Sequence, residues 1–237
     1  MDINKFKVLA AMVRAFFDAY STGIIEGQAD GSSAPHTPQT VKKLMLEYYE
    51  RIAPAFFDIM FYPLAAMNFD YAGIERIVRS AKERGDDMMA LVRAACAGDA
   101  MYEAMVAEYK RNFANLLSGR HASNAAHLAA YTRHDGDGMD DARAVELVVR
   151  VVMFAYARGL RQATGGKASL GQATLFRMML DSMNVLLNDE AVEFVDGDDA
   201  DLGAMFLKVC HTDRLFTAMT DEMDRTADEL VRREDMR

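Results

Sequence analysis

All four prolines of the chain, Pro35, Pro38, Pro54 and Pro63, lie in its first third, and none occurs from Leu64 to Arg237. Proline lacks an amide hydrogen and fixes φ, so it is a strong local interruption of a helix. A long proline-free stretch with apolar side chains every three or four positions therefore points to one helix after another. Phe6, Leu9, Val13, Phe16, Phe17, Tyr20 and Ile24 mark one face of a first helix that Gly27 stops. Thr37 and Pro38 then form a helix start: a capping hydroxyl, followed by a residue whose missing N–H costs nothing at the first position. Val41, Leu44, Met45, Tyr48 and Ile52 carry the second helix, which is expected to kink or restart at Pro54 and to end at Pro63.

The same signals continue downstream. A helix over 70–84 is expected to close with Gly85 in the left-handed conformation. Helices follow over 86–98, over 100–117 behind an Asp99 cap, and more weakly over 121–132. In 142–163, capped by Asp140 or Asp141, the stripe Val145, Val148, Val149, Val152, Tyr156 and Leu160 runs opposite Glu146, Arg150 and Arg161. β-Branched residues weaken this helix intrinsically, so burial must hold it and it is expected to be central. Ser169 with Gln172 forms a capping box ahead of a Met- and Leu-rich helix. The apolar spacing from Leu202 to Leu230 gives one helix or two divided near Thr212, and only residues 192–195 look strand-like. The expectation is an all-α, irregular multi-helix bundle of about nine or ten helices with no significant β-sheet. Residues 1–237 form a single domain in this reading, with a subdivision near 135–140 as the alternative. No repeat shows at a period of 20 to 50 residues, which disfavours a solenoid.

The net charge of −9 is not spread evenly. Residues 189–237 hold fifteen acids and six bases, so residues 1–188 are balanced. Net acidity disfavours direct nucleic-acid binding, which rests on many Lys and Arg contacts to phosphates. The longest uncharged apolar run, residues 59–67, is nine residues and includes Pro63, short of the roughly 20 a membrane span needs. Arg14 and Asp18 interrupt the N-terminal apolar stretch, so it does not read as a signal peptide. Cys96 and Cys210 read as small buried thiols of a reducing compartment, and the expected location is cytoplasmic.

Few residues suggest chemistry. Of the histidines at 121, 127, 134 and 211, His127 and His134 with Asp135 and Asp137 are the candidate metal ligands. They lack the Glu-x-x-His and Cys-x-x-Cys spacings of established sites, and exposed or capping histidines are the better reading. Counted as a calcium loop from Asp135, the chain places Asp137, Asp141 and Glu146 at positions 3, 7 and 12. Asp140 then stands where the sharp turn demands glycine, so a polar turn with capping aspartates is the better reading. Thr164-Gly165-Gly166-Lys167 precedes a helix start where an anion could sit with Lys167 and Arg161, but the phosphate-loop pattern is incomplete and a plain interhelical loop is the better reading. No nucleophile motif or dinucleotide fingerprint is present, so no catalytic residue and no cofactor is assigned.

Surfaces remain. Phe56, Phe57, Phe61, Tyr62, Phe69 and Tyr71 crowd together with Met60 and Met67, suiting either a core or a partner face. Asp221, Glu222, Asp224, Asp228 and Glu229 concentrate negative charge near the C-terminus. The expected function is that of a non-enzymatic interaction or regulatory protein. It would bind a basic, nucleic-acid-binding protein through the acidic helix, with Phe57, Phe61 and Tyr62 as an apolar contact and a homodimer as a further option. The alternative is a helical bundle that binds a small apolar ligand or a metal, as a sensor or an enzyme.

Overall fold

The computed structural model describes residues 2–28, 38–67, 76, 79–80, 83–85, 100–118, 138–166 and 213–235. These contain β1 (Asp2–Asn4), α1 (Lys5–Gln28), α2 (Pro38–Glu47), α3 (Tyr49–Ala66), α4 (Ala100–Ser118), β2 (Gly138–Asp140), α5 (Asp141–Ala163) and α6 (Asp213–Asp235). The all-α reading stands, since the two strands among the described residues are three residues each. Six helices have described bounds rather than nine or ten; those expected over 86–98, 121–132 and 169–187 lie outside the described residues. Arg76, Arg79, Ser80, Glu83 and Arg84 are helical, and Gly85 leaves that helix at φ 71° as a left-handed stop.

The prolines act differently from expectation. Pro54 and Pro63 both lie inside α3, and the break between α2 and α3 falls earlier, at Tyr48. A proline ring crowds the carbonyl four residues before it, here Glu50, and that position lies in the first turn of α3, where the helix still accommodates it. Hydrogen bonds cross the break, from Tyr48 N to Leu44 O at 2.9 Å and from Ile52 N to Tyr48 O at 3.1 Å. The Pro63 carbonyl accepts from Met67 N at 3.1 Å, so the helix runs on past that proline.

β1–α1 and β2–α5 are built alike and face each other about a local twofold. β1 pairs antiparallel with β2, Ile3 opposite Met139. Asn4 Oδ1 caps α1, accepting from the Phe6 and Lys7 amides at 2.9 and 3.4 Å. Asp140 Oδ1 caps α5 in the same way, accepting from Ala142 and Arg143 at 3.0 and 3.4 Å. The two helices run side by side in the same direction and meet at two glycines. A Cβ at Gly23 would overlap the Tyr156 carbonyl oxygen and lie 2.9 Å from Leu160 N; a Cβ at Gly159 would overlap the Tyr20 carbonyl oxygen and lie 3.1 Å from Ile24 N. Two straps cross the same seam: the Tyr20 hydroxyl donates to Gln162 Oε1, and the Tyr156 hydroxyl donates to Glu26 Oε2.

The sequence carries the same repeat. With Val13-Arg14 aligned on Val149-Arg150, the unbroken register sets Ala19-Tyr20-x-x-Gly23 on Ala155-Tyr156-x-x-Gly159 and Glu26 on Gln162. A second pair follows in α4 and α6, where Ala104-Met105-x-x-Glu108-x-x-Arg111 matches Ala218-Met219-x-x-Glu222-x-x-Arg225. Glu108 and Glu222 are both buried. Each pairs with the arginine three residues on, at 2.6 and 2.9 Å, and each accepts from the side chain four residues on, Asn112 at 3.2 Å and Thr226 at 3.1 Å. Helix α4 packs on α1 as α6 packs on α5.

One core serves both halves. Val145, Val148, Val149, Val152 and Tyr156 of α5 are fully or almost fully buried together with Leu9, Met12, Phe16 and Tyr20 of α1, so the valine-rich helix is central as expected. An aromatic layer continues outward, with Phe16 and Phe56 at 5.0 Å and Phe56 and Tyr109 at 4.8 Å between ring centroids. Burial also amends the reading of membrane segments. Among the described residues α1 is the one helix long and apolar enough to cross a membrane, yet most of it is buried inside the protein, as a core helix is. Arg14 and Asp18, its interrupting charges, lie 4.0 Å apart on successive turns.

Candidate functional site

The outer face of α5 carries Arg150, Phe154, Ala157, Arg158, Arg161 and Gln162, which recur at helical spacing along one stripe. Opposite stand Arg51, Asp58 and Ile59 of α3 and Leu230 of α6, with Gly165 and Gly166 at one end. These residues enclose a cleft of about 350 Å³. Four arginines and one carboxylate line it.

The arginines differ in what they already hold. Arg150 donates to Glu229 at 2.6 Å and to Glu222 at 3.4 Å, and its guanidinium lies 4.8 Å from the Phe154 ring centroid. Arg51 rests 5.9 Å from the Tyr48 ring centroid. Among the described residues neither Arg51 nor Arg158 pairs with an acid, and the buried Nε of Arg158 has no hydrogen-bond partner. An unmade buried hydrogen bond costs about 1–3 kcal/mol, and more on a charged group, so the arrangement is one that an incoming acceptor would improve. Gln162 adds a donor. Its Oε1 is taken by the Tyr20 hydroxyl, which leaves its amide nitrogen as the free end. Burial pushes the Tyr20 hydroxyl above its usual range, with the charges of Arg158 and Arg51 pulling the other way, so it remains a donor at neutral pH.

The glycine turn is a plain helix-ending loop, in line with the better reading of its sequence, and the helix start near Ser169 lies outside the described residues. Gly166 N donates to Arg161 O at 2.7 Å, Gly165 N to Gln162 O at 3.4 Å and Thr164 N to Leu160 O at 3.1 Å, so these amides close the end of α5 and are not turned to an anion. Positive φ at both glycines, 63° and 82°, makes that closure possible. Arg161 does line the cleft, and Lys167 lies outside the described residues.

The matching half shows which features the scaffold requires. Arg150, Tyr156, Gly159 and Gln162 have Arg14, Tyr20, Gly23 and Glu26 as counterparts. Phe154, Arg158 and Arg161 have Asp18, Thr22 and Ile25 instead. The cationic character at 158 and 161 thus belongs to one half alone.

The acidic residues separate into two sets. Asp221, Asp224 and Asp228 are exposed on the outer face of α6. Glu222 is buried and held by Arg150, Arg225 and Thr226, while Glu229 is partly buried against Arg150, so these two fasten α6 to α5. At the start of α6, Arg214 donates to Asp140 and, at 3.0 Å, to Asp141. Desolvation pushes the exposed Asp140 carboxyl up, but Arg214 and the Arg143 and Ala142 amides outweigh it and hold it below the usual carboxylate range.

Of the aromatic candidates, Phe57 is partly buried and packs its ring on Phe56 and Tyr109 at 5.2 and 6.0 Å, which makes it part of the core layer. Phe61 and Tyr62 lie in α3, and their side chains are not among those described; Phe69 and Tyr71 lie outside. His127, His134, Asp135 and Asp137 also lie outside the described residues, among which no cluster of three or more metal-ligating side chains occurs. Asp140, Asp141 and Glu146 of the tested calcium loop are engaged in capping and in pairs with Arg214, Arg143 and Arg225. Comparison with known proteins finds no matching family model, no matching curated protein and no matching solved structure.

Proposed function

We propose that the protein is a binding protein that holds a small anionic ligand in the arginine cleft. The observation that carries this reading is Arg158: a cleft-lining cation with a buried, unpartnered Nε, at a position where the matching half has Thr22. A metal ion is disfavoured there by the surrounding positive charge. The apolar ligand of the alternative reading is disfavoured as well, because Ile59, Phe154, Ala157 and Leu230 form only part of the lining. Calorimetric titration with inorganic phosphate at low salt tests the proposal. Wild type is expected to bind with one-site behaviour. A charge-assisted hydrogen bond contributes about 1.5–3 kcal/mol, so Arg158→Gln should weaken binding about 10- to 100-fold. Absence of binding of phosphate, sulfate and small carboxylates, or equal binding by the variant, counts against it.

A second reading has its own support: docking of a basic protein partner on α6. Asp221, Asp224 and Asp228 are exposed, whereas the matching positions in α4 are Ala107, Lys110 and Ala114. The docking residues in this reading are those three, without Glu222 and Glu229. Changing all three to Asn should slow association with a basic partner by about tenfold at low salt, with little effect at high salt. A rate independent of both the substitution and the salt excludes this surface.

A further inference from the structure

The two features that set one half of the molecule apart, the arginine cleft and the Arg150–Glu229 pair, meet at a single guanidinium. In the matching half Arg14 has Asp18 one turn along its own helix, 4.0 Å away. Arg150 has Phe154 at that position and pairs across to α6, with Glu229 at 2.6 Å and Glu222 at 3.4 Å. Glu222 has the counterpart Glu108, but Glu229 has the counterpart Asn115, so the Glu229 contact is an addition peculiar to this half. Leu230, the next residue, is the part of α6 that lines the cleft.

We propose that Glu229 is an internal competitor for the ligand, and that an anion in the cleft draws Arg150 away from it and loosens the C-terminal turns of α6. This rests on the anion-binding reading and adds its regulation. Carboxylate and ligand both seek Arg150, a cation common to the cleft and the helix contact. Gains on one side are therefore losses on the other, and the coupling is reciprocal: the Glu229 contact weakens ligand binding by the same factor by which the ligand weakens that contact. The acidic outer face of α6, with Asp221, Asp224 and Asp228, would then respond to the occupancy of the cleft. Glu229 is 29% exposed and Arg150 keeps Glu222 at 3.4 Å, so the conservative replacement leaves neither an unpaired buried charge nor a cavity.

The test combines phosphate titration with hydrogen exchange on the full chain. Glu229→Gln is expected to bind inorganic phosphate about fivefold more tightly or better, in the usual range of coupling. In wild type, saturating phosphate should speed exchange of the amides of residues 226–235 while those of α5 are slowed or unchanged; in Glu229→Gln the same amides should exchange faster without phosphate and respond little to it. Equal or weaker phosphate binding by the variant, or α6 amides slowed by phosphate in wild type, overturns the coupling while leaving the binding site intact. If neither protein binds phosphate or any other small anion, the site and its coupling fall together.

Discussion

Gly159→Ala is expected to destabilise the protein by about 3 kcal/mol or more, lowering its melting temperature by about 10 °C. The ordinary effect of this change runs the other way, since Ala in a helix is better than Gly by about 0.5–1 kcal/mol. What reverses the sign here is the seam between α1 and α5. A Cβ at 159 would overlap the Tyr20 carbonyl oxygen and lie 3.1 Å from Ile24 N, and both are helix backbone that cannot rotate aside. The helices would have to separate where they share their core, pulling on the Tyr20–Gln162 and Tyr156–Glu26 straps on either side of the glycines. Gly23→Ala should cost a similar amount, because its Cβ meets Tyr156 and Leu160 in the same way. Thermal or urea unfolding measures both. Unchanged or raised stability in either variant would mean that the two halves do not meet backbone to backbone.

Arg150→Met is expected to cost about 3 kcal/mol, the lower end of what breaking a buried ion pair costs. Glu222 is 4% exposed and would lose one of its cationic partners; Arg225 at 2.9 Å and the Thr226 hydroxyl at 3.1 Å remain, which keeps the loss at that lower end. Methionine preserves much of the aliphatic volume, so the loss isolates the charge. The double variant Arg150→Met with Glu222→Gln should recover a large part of the stability, because the desolvated charge is then gone too. Additivity of the two changes in urea unfolding would contradict the placement of Glu222 at this contact.

Local patterns are legible in the sequence, and long-range relations are not. The stripe on α5, the Asp140 cap, the start of α2 at Pro38 and the stop at Gly85 each depend on near neighbours in the chain, and each appears where expected. The break falls at Tyr48, six residues before Pro54, at a position that no proline or glycine marks. The β1–β2 ribbon is unreadable, since two strands this short, one at the N-terminus and one past the middle of the chain, leave no alternation to detect. The duplication is hidden for a related reason: only Val13, Arg14, Ala19, Tyr20 and Gly23 are identical at the repeat spacing in that helix, and the spacing is well beyond the period of a solenoid.

The site itself is half legible. Arg150 and Arg161 read as a solvated polar face of α5, whereas adding Phe154 and Arg158 at the same helical spacing marks a continuous cationic stripe. No pattern within α5 could supply Arg51, Asp58 and Ile59, which tertiary packing brings from α3. Glu222 reads as surface charge because acids usually are, yet it follows Met219 by one helical turn and precedes Leu230 by two, within the apolar stripe of α6. That position is the available sign that it points inward.

Everything proposed for the cleft turns on whether Arg158 meets an anion there. The most direct measurement follows the arginine Nε–H resonances in a 15N-edited NMR titration with inorganic phosphate. A saturable shift of the Arg158 Nε–H signal is expected, with Arg51 moving alongside it and Arg14, the counterpart of Arg150 in the other half, unmoved. An Arg158 signal that stays in place while phosphate saturates, or that moves no more than Arg14, would contradict it.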